Sequence, residues 1–185
     1  LDPDPPAELI AAIDRALAAG RPGALPIDWR GASRFQVAVL AKTAEIPLGE
    51  VRPYAWVAAE IGRPRAVRAV GTALAQNPLA LVFPCHRVVR ADGRLGRYGY
   101  GGAVKRALLA AEGADPDALE DAASRGVRLV AARSSGTVCY PSCARARAIG
   151  PDERVELAGA PQARAAGYTA CPRCRPVLAP PPAGP

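Results

Sequence analysis

"YAWVAAEIGRPRAVRAVGTALAQNP", residues 54–78, holds two short helical patterns separated by a tight Gly/Pro turn. "YAWVAAEIG" (54–62) is a short apolar helix closed by Gly62. "AVRAVGTALAQN" (66–77) is another, ended at Asn77-Pro78 because the residue before a proline is pushed out of the helical region. Upstream, "SRFQVAVLAKTAEIPLG" (33–49) opens on the capping residue Ser33 and places Phe35, Val39, Leu40 and Ile46 near helical spacing. Three short helices with tight turns, the last carrying Arg68 on an Ala/Gly-rich surface, predict a helix-turn-helix arrangement. Many small helical bundles share that pattern, so by itself it does not establish DNA binding.

Charge points the same way. The chain of 185 residues carries a formal net charge of +7, and between Arg63 and Arg106 nine Lys/Arg face a single acid, Asp92. Such a balance suits a polyanionic partner, although a solvated basic face would look alike. The apolar run "LALVF" (79–83) is far too short to span a membrane. Half of the residues are apolar, enough for packed cores.

The rest of the chain divides around these helices. "AELIAAIDRALAAG" (7–20) predicts an amphipathic helix stopped by glycine, with an extended connection after it. "LALVFPCHRVV" (79–89) is apolar and β-branched, which predicts a buried extended segment. "ADGRLGRYGYGG" (91–102) is a turn and a glycine-rich loop, and "AVKRALLAAEG" (103–113) a final helix. "ADPDALEDAASRG" (114–126) reads as a polar linker. "VRLVAARSSGTV" (127–138) then predicts a strand and turn, and the Pro-rich stretch 179–185 a disordered tail.

The five cysteines fall into two groups. Cys139 and Cys143 form C-x3-C, Cys171 and Cys174 form C-x2-C, and Cys85 stands alone. With no secretory leader in view, an odd count predicts thiolate or metal chemistry in a reducing cytosol. Two tight pairs across a gap of 27 residues have the spacing of a tetrahedral four-cysteine zinc site.

Cys85 is followed by His86, the one histidine in the chain. A cysteine in an apolar segment is commonly inert core, yet a neutral imidazole can accept a thiol proton. Neighbours in an extended strand point to opposite faces, so contact between the two calls for a water or a turn. The imidazole needs an orienting group, and Glu112 serves if the last helix packs behind the segment.

The stretches "IPLGEVRPYAWVAAEIGRPRAVRAVGTALAQNP", "FPCHRVV" and "GRLGRYGYGGAVKRALLAAEG" resemble the C-terminal domain of the O6-alkylguanine-DNA alkyltransferases, from about Phe35 to Gly113. The resemblance implies an alkyl acceptor at Cys85, deprotonated through water by His86. Glu112 would hold the histidine and Asn77 would brace the turn. Arg68 would fill the gap left by an extruded nucleotide and Tyr54 would press on its phosphate, while Ala69 and Gly71 let the helix approach the minor groove. Tyr98 would line the guanine pocket, the carbonyls of Cys85 and Val88 would read the base, and the Gly99 amide would face O6. A thioether has no easy way back to thiol and no regenerating cofactor motif is visible, so each molecule would react once. Arg34, Leu48, Pro53, Arg97 and Gly99 depart from the family's usual residues, the last two at the pocket.

"VAARSSGTVCYPSCARARA" and "QARAAGYTACPRCRP" resemble the zinc domain of the Ada DNA-repair proteins. There the first cysteine accepts methyl from a DNA phosphotriester, which would make Cys139 a second acceptor. Tyr140 stands where arginine is usual, Arg145 and Arg147 do not align cleanly, and the domain order is reversed. A purely structural Zn2+ is the other reading.

The expected architecture is α+β and mainly helical. Residues 1–30 are a remnant of an N-terminal domain and its connection, 31–113 a winged helix-turn-helix-like alkyltransferase domain, and 114–126 a linker. Residues 127–178 form a small zinc-binding α/β domain. The expected function is single-turnover repair of O6-alkylguanine, with O4-alkylthymine a further substrate, in double-stranded DNA. The chain would act as a monomer in the cytoplasm, at the nucleoid when DNA-bound, with Zn2+ and no organic cofactor. The competing class is a non-catalytic damage sensor or transcriptional regulator.

Overall fold

The computed structural model describes residues 5–179. Residues 1–4 of the expected N-terminal remnant, and all of the expected tail except Ala179, lie outside them.

Helix α1 (Ala7–Ala19) ends where Gly20 turns left-handed at φ 62°. Helix α2 (Arg34–Thr43) begins at Ser33, whose hydroxyl accepts from the Gln36 N–H at 3.1 Å. Helices α3 (Tyr54–Glu60) and α4 (Val67–Ala75) complete the helix-turn-helix. Each turns an apolar face inward: Val39 and Leu40 from α2, Trp56 and Val57 from α3, Val70 and Leu74 from α4. Removal of those side chains from water is the main force that holds the three short helices together.

The stretch 79–89 is not the extended segment its composition predicts. Cys85–Arg87 form a 3₁₀ turn, and only Val88–Val89 (β2) are extended. The reason is local. Asn77 Nδ2 and the Cys85 N–H both donate to the Phe83 carbonyl, each at 2.7 Å, which folds the chain before it can run straight. Strand β2 pairs in parallel with β1 (Arg52–Pro53), setting Arg52 opposite Val88 and Pro53 opposite Val89.

Helix α5 (Gly102–Ala111) follows the glycine-rich loop. Gly49, at φ 69°, lies against its end. A Cβ there would stand 2.8 Å from the Glu112 carbonyl, so only glycine permits this approach. The expected linker is instead largely helical, with α6 at Pro116–Ser124. Asp115 caps it through the Asp117 and Ala118 N–H groups, Pro116 occupies the first turn, and Ala122 and Ala123 are buried. Acidic residues on the outer face mask that apolar stripe in the sequence.

Strands β3 (Leu129–Ala132), β4 (Thr137–Cys139), β5 (Arg154–Leu157) and β6 (Thr169–Ala170) form a sheet of order β5-β3-β4-β6. Only the β4–β6 pairing is parallel. Two short helices, α7 (Ala144–Arg147) and α8 (Ala160–Ala165), flank it. The architecture is α+β, as expected. The two halves nevertheless share one core, because Val130, Val138, Tyr140 and Leu157 belong to the same buried cluster as Trp56, Val57 and Val88. No helix among the described residues is long and apolar enough to cross a membrane.

Candidate functional site

The 3₁₀ turn puts Cys85 half-buried at the edge of a cleft of about 500 Å³. Tyr54, Gly71, Asn77, Tyr98, Gly99 and Arg97 also line that cleft. Asn77 binds the turn at three points. Its Nδ2 donates to the Phe83 carbonyl at 2.7 Å and to Cys85 Sγ at 3.3 Å, while Oδ1 accepts from the Leu79 N–H at 3.0 Å. The sulfur thus has a fixed N–H donor, the contact a thiolate needs. Burial raises the Tyr98 phenol above its ordinary range, and the Cys85 sulfur adds to that by charge and by hydrogen bonding. Tyr54 shifts upward for the first two of these reasons.

His86, the next residue in the turn, is buried to 1% exposure. Its Nε2 meets Glu112 Oε1 at 2.7 Å, and its Nδ1 has no partner among the described residues. A buried ring nitrogen left unpaired is a place for a bridging water. Tyr98 packs edge-on against the imidazole, with ring centroids 6.3 Å apart. Burial pushes the Glu112 carboxyl up, but hydrogen bonds from His86 and Arg87 and the Arg87 charge outweigh it, leaving it at about 2.

Two cations complete the support, and neither was among the site residues expected from sequence. Arg87 is buried and grips Glu112 through Nε at 2.8 Å and Nη2 at 2.7 Å. Its Nη1 donates to the carbonyls of Gly20 at 2.8 Å and Ile46 at 2.7 Å. Lys105 is buried too, and its Nζ donates to the Val88 and Leu95 carbonyls, each at 2.6 Å. Burial lowers its ammonium to about 8. The available signal was a charge inside an apolar run, since buried Arg and Lys need partners.

Arg68 and Ala69 do not line the cleft. They lie on the exposed face of α4, next to exposed Thr72, so a cation surrounded by small side chains flanks the cleft. Val88 is buried behind the turn, and one lone pair of its carbonyl is taken by Lys105.

The second constellation is Cys139, Cys143, Cys171 and Cys174, whose sulfurs lie within 4.8 Å of one another. Cys139 ends β4, Cys143 caps α7, and the other two follow β6 in a turn. Zn–S bonds near 2.3 Å place tetrahedral sulfurs about 3.8 Å apart, so this donor set fits Zn2+. All four are buried, three at 0% and Cys139 at 3% exposure.

Residues 34–114 match the family model described as 6-O-methylguanine DNA methyltransferase, DNA binding domain. Residues 118–177 match the metal binding domain of Ada. The chain belongs to the O6-methylguanine-DNA methyltransferase family and carries an Ada-type zinc-binding domain. Among its relatives is the "Bifunctional transcriptional activator/DNA repair enzyme Ada" of Escherichia coli, 45% identical over 105 residues, 57% of this chain and 28% of that protein. The methylated-DNA–protein-cysteine methyltransferase of Methanosarcina barkeri is 49% identical over 78 residues, 42% of this chain and 49% of that protein. The chain therefore spans about a quarter to a half of these relatives' length. Among solved structures, Mycobacterium tuberculosis OGT in complex with DNA aligns at TM-score 0.50 and 40% identity, covering 60% of this chain and 71% of that one. The O6-methylguanine-DNA methyltransferase of Pyrococcus kodakaraensis aligns at TM-score 0.52 and 29% identity, covering 61% and 67%. The methyltransferase match begins at the start of α2, and the Ada match runs through α6 into the region expected to be linker.

Proposed function

We propose that the chain removes alkyl groups from O6 of guanine in double-stranded DNA and keeps them on Cys85. The observation that carries this reading is the Asn77–Cys85 contact at 3.3 Å beside a His86–Glu112 pair at 2.7 Å, opening on a cleft next to α4.

A base inside a duplex cannot reach a half-buried sulfur, so the nucleotide must leave the stack. Arg68 fills the gap and offsets part of the unstacking cost, a few kcal/mol. Tyr54 presses on the rotated phosphate, and Tyr98 packs against the guanine. The Gly99 amide faces O6, and the free lone pairs of the Cys85 and Val88 carbonyls read the base edge. His86, oriented by Glu112, takes the Cys85 proton through a water at Nδ1. The thiolate attacks the alkyl carbon, the C–S bond forms as the C–O6 bond breaks, and the guanine anion recovers a proton. The thiol hydrogen thus ends on guanine and the alkyl group on sulfur. O4-alkylthymine enters the same cleft as a smaller base.

Of the two roles open to the four-cysteine set, burial of all four sulfurs favours a structural one. Bound zinc keeps these sulfurs as thiolates and ties the two cysteine pairs together. Methyl transfer from a phosphotriester to Cys139 is the alternative, and the 3% exposure of Cys139 against 0% for its partners makes it the one candidate among the four.

The test is a duplex carrying O6-methylguanine, followed by digestion and mass analysis of the Cys85 peptide. One added methyl is expected, and a folded, DNA-binding sample that transfers nothing would favour the damage sensor. The same assay with methyl-phosphotriester DNA, read at Cys139, decides the zinc domain's role. Arg68→Ala should slow transfer about tenfold or more with little change in stability, because its side chain is exposed. Gly71→Ala should separate folding from binding. A Cβ there meets nothing nearer than Tyr54 Cε1 at 4.0 Å. Thermal unfolding should show a gain of about 0.5–1 kcal/mol while duplex affinity falls.

A further inference from the structure

Strand β1, the partner of the β2 strand that follows the Cys85 turn, is held by the loops that carry the four cysteines. Ser142, between Cys139 and Cys143, is 4% exposed. Its hydroxyl accepts from the Val51 N–H at 2.9 Å and donates to the Val51 carbonyl at 3.1 Å. A side chain of the zinc loop thus takes the place of a neighbouring strand at the residue that leads into β1.

Glu50, 1% exposed, ties both cysteine pairs to the same point. Oε1 accepts from the Ala144 N–H at 3.2 Å, directly after Cys143, and from Arg173 Nε at 3.1 Å, between Cys171 and Cys174. Oε2 accepts from Arg52 Nη2 at 2.5 Å. Arg52, also 1% exposed, lies over the rings of Trp56 at 5.8 Å and Tyr140 at 5.6 Å. At the rim, Arg175 pairs with Glu60 at 2.7 Å and Arg147 donates to the Gly113 carbonyl at 3.2 Å, one residue past Glu112.

An ion pair this deeply buried leans on each partner it has, the more so because Arg52 Nε already has none among the described residues. Without the cysteine loops, Glu50 loses Ala144 and Arg173, Arg52 loses Tyr140, and Val51 loses both hydrogen bonds to Ser142, so that its N–H has no side-chain partner and its carbonyl keeps only Arg52 Nη1 at 2.8 Å. Strand β1 is then left with β2 alone, and a two-residue pairing has little stability of its own. The loops in turn belong to a module of strands two to four residues long and helices of four and six, too small to hold its shape without its metal.

We propose that the zinc module is a working part of the Cys85 site. Through Ser142 and Glu50 it fixes β1, β1 sets the register of Val88–Val89, and that register fixes the Cys85–Arg87 turn. Ser142 and Glu50 are positioning residues, and metal occupancy of the four cysteines governs transfer at Cys85. This rests on the reading of Cys85 as the acceptor.

The experiment compares the full zinc-loaded chain with the chain stripped by a chelator in reducing buffer, using amide hydrogen exchange and methyl transfer to Cys85. Stripping is expected to speed exchange at Val51, Arg52, Val88 and Val89 at least tenfold and to slow transfer by a similar factor, with Zn2+ restoring both. Ser142→Ala keeps all four cysteines, and should bind a full equivalent of zinc while exchange at Val51 quickens about tenfold and transfer slows. Unchanged protection of β1 and β2 in either sample, or lost protection with transfer intact, would overturn the proposal. If stripping unfolds the whole chain, Ser142→Ala alone decides. If the loaded chain transfers nothing, the acceptor reading fails, while the exchange data still report whether the module holds β1.

Discussion

Glu112→Gln is expected to stop transfer to Cys85 almost completely and to destabilise the fold. The carboxylate receives His86 on Oε1 and the Arg87 fork on both oxygens. A glutamine has one carbonyl oxygen for these donors, and its NH2 group would face a donor whichever way it turns. Arg87 then remains buried without a counter-charge, a defect that costs about 3 kcal/mol. His86 loses the group that orients its ring, and transfer should fall by about a hundredfold or more. The pH dependence gives an independent check. The Glu112 carboxyl sits at about 2 in the fold against an ordinary 4.5. Its contribution is therefore complete above pH 4.5 and is lost as the pH falls from there to about 2. Denaturant titrations between those limits should show a loss of about 3 kcal/mol in the parent that is missing from the variant.

Asn77→Ala should come second in effect and differ in kind. It leaves the imidazole pair intact but removes the donors to Phe83 and Cys85 and the acceptor for Leu79. Three lost hydrogen bonds at a half-buried turn amount to about 2–3 kcal/mol. The 3₁₀ turn then has less to keep it from the extended form that its apolar, β-branched residues prefer. Single-turnover rates should fall by about tenfold or more while binding to the duplex, proposed to run through α4, changes little. Equal losses in binding and transfer would place Asn77 on the DNA face instead.

Much of this was legible because it is local. Ser33 as a cap, Gly20 and Gly113 as stops and the paired cysteine spacings each depend on a few neighbouring residues. The turn at Cys85 was implied by the family resemblance but hidden from composition, because the group that bends it is the side chain of Asn77, eight residues earlier. Helix α6 was missed for a different reason: its buried residues are mostly alanines, which stand out little against acids on the other face. The Ser142–Val51 contact joins residues 91 apart, and Arg173–Glu50 joins residues 123 apart. No periodicity or spacing rule reaches that far. Lys105 and Arg87 were visible as charges among apolar residues, but only the fold supplies the carbonyls they bind.

The Arg87 fork has a consequence for how the molecule comes of age. One guanidinium joins Gly20, Ile46 and Glu112, which lie 67, 41 and 25 residues away along the chain. Gly20 admits it so closely that a Cβ there would stand 2.5 Å from Nη2. Contacts of such long sequence separation form late in folding, since each closes a large loop. The turn that carries Cys85 is adjacent to this knot, so it acquires its shape only when the first helix, the α2 exit and the end of α5 have all arrived. On the proposed reading of Cys85 as a single-use acceptor, that order has value. In a nascent or half-folded chain the sulfur lacks Asn77 beside it and the His86–Glu112 pair is not yet assembled, so the proposed transfer is reserved for molecules whose fold is complete.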